Sequence, residues 1–166
     1  MILLIEIGVL CIFFSAMIII GTGKNPLGGL HNLPKAIQER AAELPEYQNR
    51  KIHVISAKQR ILKKLPALVL LAFIFCAMIY GAGARTFLQG FLYTFLLWTA
   101  VKLFVTLVLH CGWYAHTPFV WIKGTEDMKA EYQNYKFYLS SIPRSLLAGA
   151  VVSVLAGIVI MFVGGM

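Results

Sequence analysis

The run from Phe87 to Leu109 is predominantly apolar and holds a single charged residue, Lys102. About 20 consecutive apolar residues are what a helix needs to cross a ~30 Å hydrocarbon core, because each residue advances the helix 1.5 Å. A chain with such a run has few folds open to it, and this one has more than one run. Ile2–Ile20, Pro66–Tyr80 and Leu146–Val163 repeat the pattern. The expected class is therefore all-α, a polytopic membrane protein with four transmembrane helices in a single domain. Its spans are placed at about 2–20, 66–82, 87–109 and 145–164, with connections at 21–65 and 111–143 that carry short interfacial helices. The residues are 59% hydrophobic and only 13% charged, which excludes ordinary soluble composition. Alternating strand patterns are absent, which argues against a barrel.

A net charge of +8 invites a nucleic-acid reading, but its placement points elsewhere. Nine of fifteen Lys and Arg fall in 21–65 and four in 111–144, leaving only Arg85 and Lys102. That asymmetry is the positive-inside pattern, so both long connections are expected in the cytoplasm and both termini outside, in a bacterial plasma membrane. The first run lacks a basic leader and a small-x-small cleavage site, so it reads as a retained helix. Arg50, Lys51, Lys58, Arg60, Lys63 and Lys64 form a juxtamembrane cluster suited to anionic headgroups, at about 1 kcal/mol per residue. No nucleic-acid partner is expected. Cys11, Cys76 and Cys111 form no CxxC and imply no disulfide framework.

Local signals fill in the connections. Ser56–Gln59 has a capping-box pattern. Pro34 opens a short helix ending near Pro45, with Leu33, Ile37, Ala41 and Leu44 on one side, as expected of a helix on the membrane surface. Thr125 is placed to cap an interfacial amphipathic helix with Met128, Tyr132, Tyr135 and Leu139 on one face. Gly81–Arg85 is short enough only for a tight hairpin. Gly149, Ser153 and Gly157 repeat every four residues, a small-residue face for close helix packing, with a second copy or another membrane protein as the expected partner. Glu6, the one carboxylate within a span, is expected to pair with Arg85 if it pairs at all.

The chemistry-bearing candidates lie in and after the third run. Thr99, Lys102, Thr106 and His110 are spaced by 3, 4 and 4, which aligns them on one face of an α-helix, and Tyr114 nearly continues the stripe. Lys102 falls roughly 6 Å on the cytoplasmic side of the span's midpoint and about 13 Å from the depth of Glu6, too far for a bridge. An ammonium at this depth snorkels, meets Glu126 or Asp127, loses its charge or holds an anion. Trp113, Tyr114 and His116 would complete a cytoplasm-facing site for a phosphate or carboxylate with an apolar tail, with His110 as the candidate acid/base. His110, Cys111 and His116 do not follow a zinc spacing, even with His31 and His53 on the same side, so no metal or cofactor is expected. No Ser–His–acid grouping, HExxH or paired intramembrane carboxylate is present.

The layout, four helices with both ends outside and a long first cytoplasmic connection, is similar to that of the membrane-associated eicosanoid and glutathione metabolism proteins. Glu39-Arg40-Ala41 matches a fragment of that family's signature, while its Arg-Ala-His continuation is absent and Pro45 follows. The resemblance implies a trimer binding glutathione near the cytoplasmic surface, and it transfers no functional residue. The residues themselves favour a non-enzymatic, oligomeric or complex-forming membrane component, an accessory of transport or of the envelope. The alternative is a membrane enzyme or carrier for an anionic amphiphile at the cytoplasmic leaflet.

Overall fold

A computed structural model describes residues 2–24, 26–48 and 57–164. It is all-helical, with no strand among the described residues. In chain order come α1 (Ile2–Lys24), a 3-10 segment (Pro26–Asn32), α2 (Lys35–Glu43), α3 (Pro45–Gln48), α4 (Ala57–Gly81) and α5 (Phe87–Phe104). A π-helical segment (Val105–Tyr114) continues α5, and a 3-10 turn (Pro118–Val120), α6 (Lys129–Tyr132), α7 (Tyr135–Leu139) and α8 (Ser141–Gly164) follow.

Among the described residues three stretches, not four, are long and apolar enough to cross a membrane: Ile2–Gly23, Phe87–Tyr114 and Ser141–Gly164. The expected second span lies in α4, whose described apolar part, Ala72–Gly81, is shorter than a crossing needs. Pro66 lies within α4 without ending it. Large side chains of the three spans stay exposed, among them Leu4, Ile12 and Phe13 in α1 and Leu147, Val151 and Phe162 in α8. Apolar surface on this scale, far beyond the patches soluble monomers tolerate, suggests a membrane protein.

The chain divides into two compact units. The first comprises Met1–Leu10, Val54–Lys102 and Pro143–Met166. Its centre is an antiparallel pairing of α5 and α8, in which Gly90 meets Gly157 and Ile160 while Trp98 meets Gly149. The Trp98 indole donates to the Ser145 carbonyl at 2.8 Å and stands edge-on to Phe75 of α4. The small-residue face of α8 is therefore occupied within the chain. Glycine is needed there because a Cβ on Gly90 would sit 2.9 Å from the Gly157 Cα, and one on Gly157 would sit 2.9 Å from the Phe87 carbonyl.

The hairpin between α4 and α5 explains why the chain turns where it does. Gly83 adopts φ +97, and the Ala84 and Gly83 amides donate to the Ile79 and Tyr80 carbonyls, the Schellman closure of a helix end. Thr86 and Gln89 then start α5 as a capping box. The Gln89 amide donates to Thr86 Oγ1, and Gln89 Oε1 accepts from the Arg85 and Thr86 amides. Arg85 donates to the Tyr80 and Ala84 carbonyls and lies 3.9 Å over the Tyr80 ring. The expected Glu6–Arg85 pair does not form, because local carbonyls and an aromatic face hold the guanidinium. Glu6 Oε2 is buried with no hydrogen-bond partner among the described residues.

The second unit comprises Cys11–His53 and Leu103–Ile142. Its core joins Leu30, Leu33, Ile37 and Ala41 to Tyr114, Val120, Trp121, Ile122 and Tyr132. The apolar side of α2 thus packs into protein rather than onto a membrane surface, since Ile37 and Ala41 are fully buried. The expected amphipathic helix after Thr125 is likewise two helices. Gln133 and Asn134 interrupt it, and Asn134 caps α7 by accepting the Phe137 amide at 3.2 Å. That break turns Tyr132 inward to full burial and leaves Tyr135 and Leu139 exposed. Arg50, Lys51, His53 and Ser56 lie outside the described residues, as do the side chains of His31, Lys58, Arg60, Lys63 and Lys64.

Candidate functional site

The second unit gathers most of the chemistry-bearing side chains of the connections, and the sequence folds them around Tyr132. Its ring stacks on Trp121 with centroids 4.4 Å apart and planes within 2°. Its hydroxyl accepts the Ile122 amide at 3.1 Å and lies 2.8 Å from Thr125 Oγ1, which donates to the Ile122 carbonyl at 2.7 Å. Since a threonine hydroxyl has one hydrogen, Tyr132 must donate to Thr125, which closes a ring of satisfied bonds. Burial raises the Tyr132 phenol above its ordinary value, against the Ile122 amide, whose hydrogen bond to the phenol oxygen lowers it. This group is a structural knot, with no hydrogen left to offer a ligand.

The π-helical segment supplies a second cluster. Thr106, Leu109 and Tyr114 face inward, while His110 is half-buried. Helix α7 packs on this segment, and the His110 imidazole stacks on Tyr138 with centroids 5.6 Å apart and planes 4° apart. Tyr138 is almost fully buried, and its phenol is raised, by burial first and then by Tyr132 and Cys111. The hydroxyls of Thr106 and Tyr138 are buried with no hydrogen-bond partner among the described residues. Polar groups in that condition cost free energy unless water or a ligand meets them.

The end of the π-helical segment is closed by side chains. Thr117 Oγ1 donates to the Trp113 carbonyl at 2.7 Å, and the Trp121 indole donates to the Tyr114 carbonyl at 2.8 Å. These satisfy carbonyls that a helix end leaves without an internal donor. His116 is exposed; its Nε2 lies 2.9 Å from the Tyr135 hydroxyl and its Nδ1 3.4 Å from Gln133 Nε2.

The expected site residues are divided between the units. Thr99 and Lys102, both half-buried, belong to the first. Thr106, His110, Trp113, Tyr114 and His116 belong to the second. Within the second unit Tyr114 is part of the core and Trp113 packs against it from outside. The stripe drawn at α-helical spacing does not continue past Val105, because the π-helix closes bonds five residues apart and its residues turn through a smaller angle each. Tyr138, the partner of His110, was absent from the expected set. Its signal was an aromatic at the end of a short helix that follows Asn134. Among the described residues no group of three His, Cys, Asp or Glu side chains is arranged to hold a metal.

Comparison with family models, curated proteins and solved structures finds no match to this chain.

Proposed function

We propose that the chain is a multi-pass membrane protein acting as a non-enzymatic component of a homo-oligomer or of a larger membrane assembly. It would cross four times, with α4 as the fourth crossing, both termini outside and the connections 21–65 and 111–143 in the cytoplasm. Helix α4 runs 25 residues, about 37 Å, and its cationic start suits the inner surface. The observation that carries the reading is the use of the second unit's polar aromatics. Tyr132, Thr125 and Trp121 have their hydrogen bonds taken up in folding, as in a docking module. Contact with partners then falls to the apolar faces still exposed, above all on α1, whose span is only 11% buried within the chain. Native mass spectrometry from mild detergent, with proximity labelling in cells, tests it. An oligomer or a recurrent membrane partner is expected, and a bare monomer with no partner overturns the proposal.

One observation favours a second reading, in which the chain handles an anionic amphiphile at the cytoplasmic leaflet. The Tyr138 ring that stacks on His110 carries a buried hydroxyl with no partner among the described residues, and Thr106, in the same π-helical segment as His110, carries another. Here His110 would be the acid/base, with the two hydroxyls donating to a phosphate or carboxylate. Short-chain phosphatidic acid should then raise the melting temperature of the wild type and not of His110→Ala or Tyr138→Phe. Equal shifts in all three proteins refute it.

A further inference from the structure

We propose that the turn at Pro118–Val120 is a membrane anchor that seats Phe119 at the boundary between headgroups and acyl chains of the leaflet where the span ends. Phe119 is 94% exposed, although the residues beside it, Val120 and Trp121, are buried. The turn is held in place by Val120 and Trp121 amides donating to the Thr117 and Pro118 carbonyls. Two further bonds tie it back to the helix that precedes it, from Thr117 Oγ1 to Trp113 and from the Trp121 indole to Tyr114. A phenylalanine displayed by so firmly built a turn is not the tip of a loose loop.

What covers it follows from where the turn is pinned. The span Phe87–Tyr114 has 28 residues, at most about 42 Å, against a ~30 Å hydrocarbon core and 40–45 Å including headgroups. Centred in a bilayer, its last turn lies in the headgroup layer. The Trp121–Tyr114 bond, at 2.8 Å, brings the far side of the turn back to that same level. Nearby groups match an interface. His116, two residues before Pro118, bonds to Tyr135 of α7, and Tyr135 and Leu139, four apart on that helix, are both exposed. Lys123 and Lys136, in the same connection, are exposed and can meet lipid phosphates, and aromatics with a wet edge favour this depth. The occupant is therefore a phospholipid surface. This rests on the membrane reading above.

The test uses full-length protein, with Cys11, Cys76 and Cys111 replaced by Ala, in phosphatidylcholine–phosphatidylglycerol vesicles. A polarity-sensitive fluorophore is attached at Phe119→Cys, at Leu96→Cys on the exposed face of α5, or at Asp127→Cys as the water reference. Nitroxide-bearing lipid, labelled near the headgroup end of the acyl chain, should quench the probes at 119 and 96 severalfold more than that at 127. Quenching at 96 with none at 119 overturns the anchor and leaves the membrane reading standing. A blue-shifted but unquenched probe at 119 also overturns it, in favour of a covering protein surface. No quenching at 96 refutes the membrane reading itself. If the cysteine-free chain does not fold, Phe119→Trp in the native chain serves instead: the emission gained over wild type must be quenched by the same lipid, and unquenched emission overturns the anchor.

Discussion

Replacing Gly90 by Ala should destabilise the protein although alanine is the better helix former. Alanine in place of glycine gains about 1 kcal/mol in an unobstructed helix. At Gly90 the new Cβ meets the Gly157 Cα at 2.9 Å and Ile160 Cβ at 3.0 Å. The first of these is backbone, so relief requires α5 and α8 to move apart, and such overpacking typically costs about 1–3 kcal/mol. A clash with backbone takes the upper end of that cost, which leaves a net loss of about 2 kcal/mol, or roughly 4–8 °C at 2–4 °C per kcal/mol. Gly157→Ala should behave alike, since its Cβ would meet the Phe87 carbonyl. The double variant should lose less than the sum, because helices already separated for one methyl accommodate the other. Gly8→Ala is the control: nothing lies within 4 Å of the added atom, so only the helix gain remains. Thiol-reactive thermal unfolding reads all four, using Cys11, which is buried in the folded chain. Gly90→Ala melting at or above the wild type would refute the close approach of α5 and α8.

Gly124→Ala should unfold the second unit at a lower temperature than Gly83→Ala lowers that of the first. Both positions have positive φ, +84 and +97, which costs roughly 1–2 kcal/mol for alanine, but only at Gly124 does a Cβ also meet Leu44, at 2.8 Å. Hydrogen exchange resolved by peptide distinguishes the two. Tyr132→Phe should cost about 1–3 kcal/mol, since it leaves the buried Ile122 amide without its acceptor; unchanged thermal stability would contradict the bonding ring. Alkaline pH should weaken the fold. Tyr132 and Tyr138 both have pKa values raised above the ordinary 10.0, so their stabilisation is complete below pH 10 and is lost as pH rises through the folded values. Near-ultraviolet circular dichroism against pH should show the second unit's aromatic signal lost only above pH 10, and loss near neutrality would refute it.

The sequence made the helices legible and their partners much less so. Apolar runs at α1, α5 and α8 are local facts, and each became a helix close to the expected limits. The small-residue stripe on α8 announced a packing face, yet its occupant depended on Gly90 and Phe87, some sixty residues earlier and without a matching pattern of their own. One capping signal occurs twice in the sequence. Ser56–Gln59 lies partly outside the described residues, whereas the same motif at Thr86–Gln89 is the bonded box that starts α5. Amphipathic faces misled twice for one reason. A buried stripe reads the same whether lipid or protein covers it, so Ile37 and Tyr132 looked interfacial until α2 and α6 were found packed together.

The candidate site shows where spacing arguments stop. Thr99 and Lys102 sit in α-helix, but Thr106 and His110 sit in a π-helical segment, so the interval of four means different directions on either side of Val105. Nothing in VTLVLHCGWY announces that change, because each residue in it is compatible with an α-helix. What holds the altered winding is tertiary: α7 packs on it, Tyr138 stacks on His110, and Thr117 and Trp121 close its last carbonyls. Those four supports are also what set the pieces of function apart. The stack sets His110 against the ring of Tyr138, whose hydroxyl has no partner among the described residues, and the closure leaves Phe119 outside. Replacing Trp121 by Phe keeps the stack on Tyr132 but removes the indole donor to Tyr114, so it should loosen the turn while preserving the core. Phe119 quenching by nitroxide lipid should then fall, whereas any shift induced by phosphatidic acid at His110 should persist. Loss of both together would mean that the turn and the histidine cluster are one cooperative element.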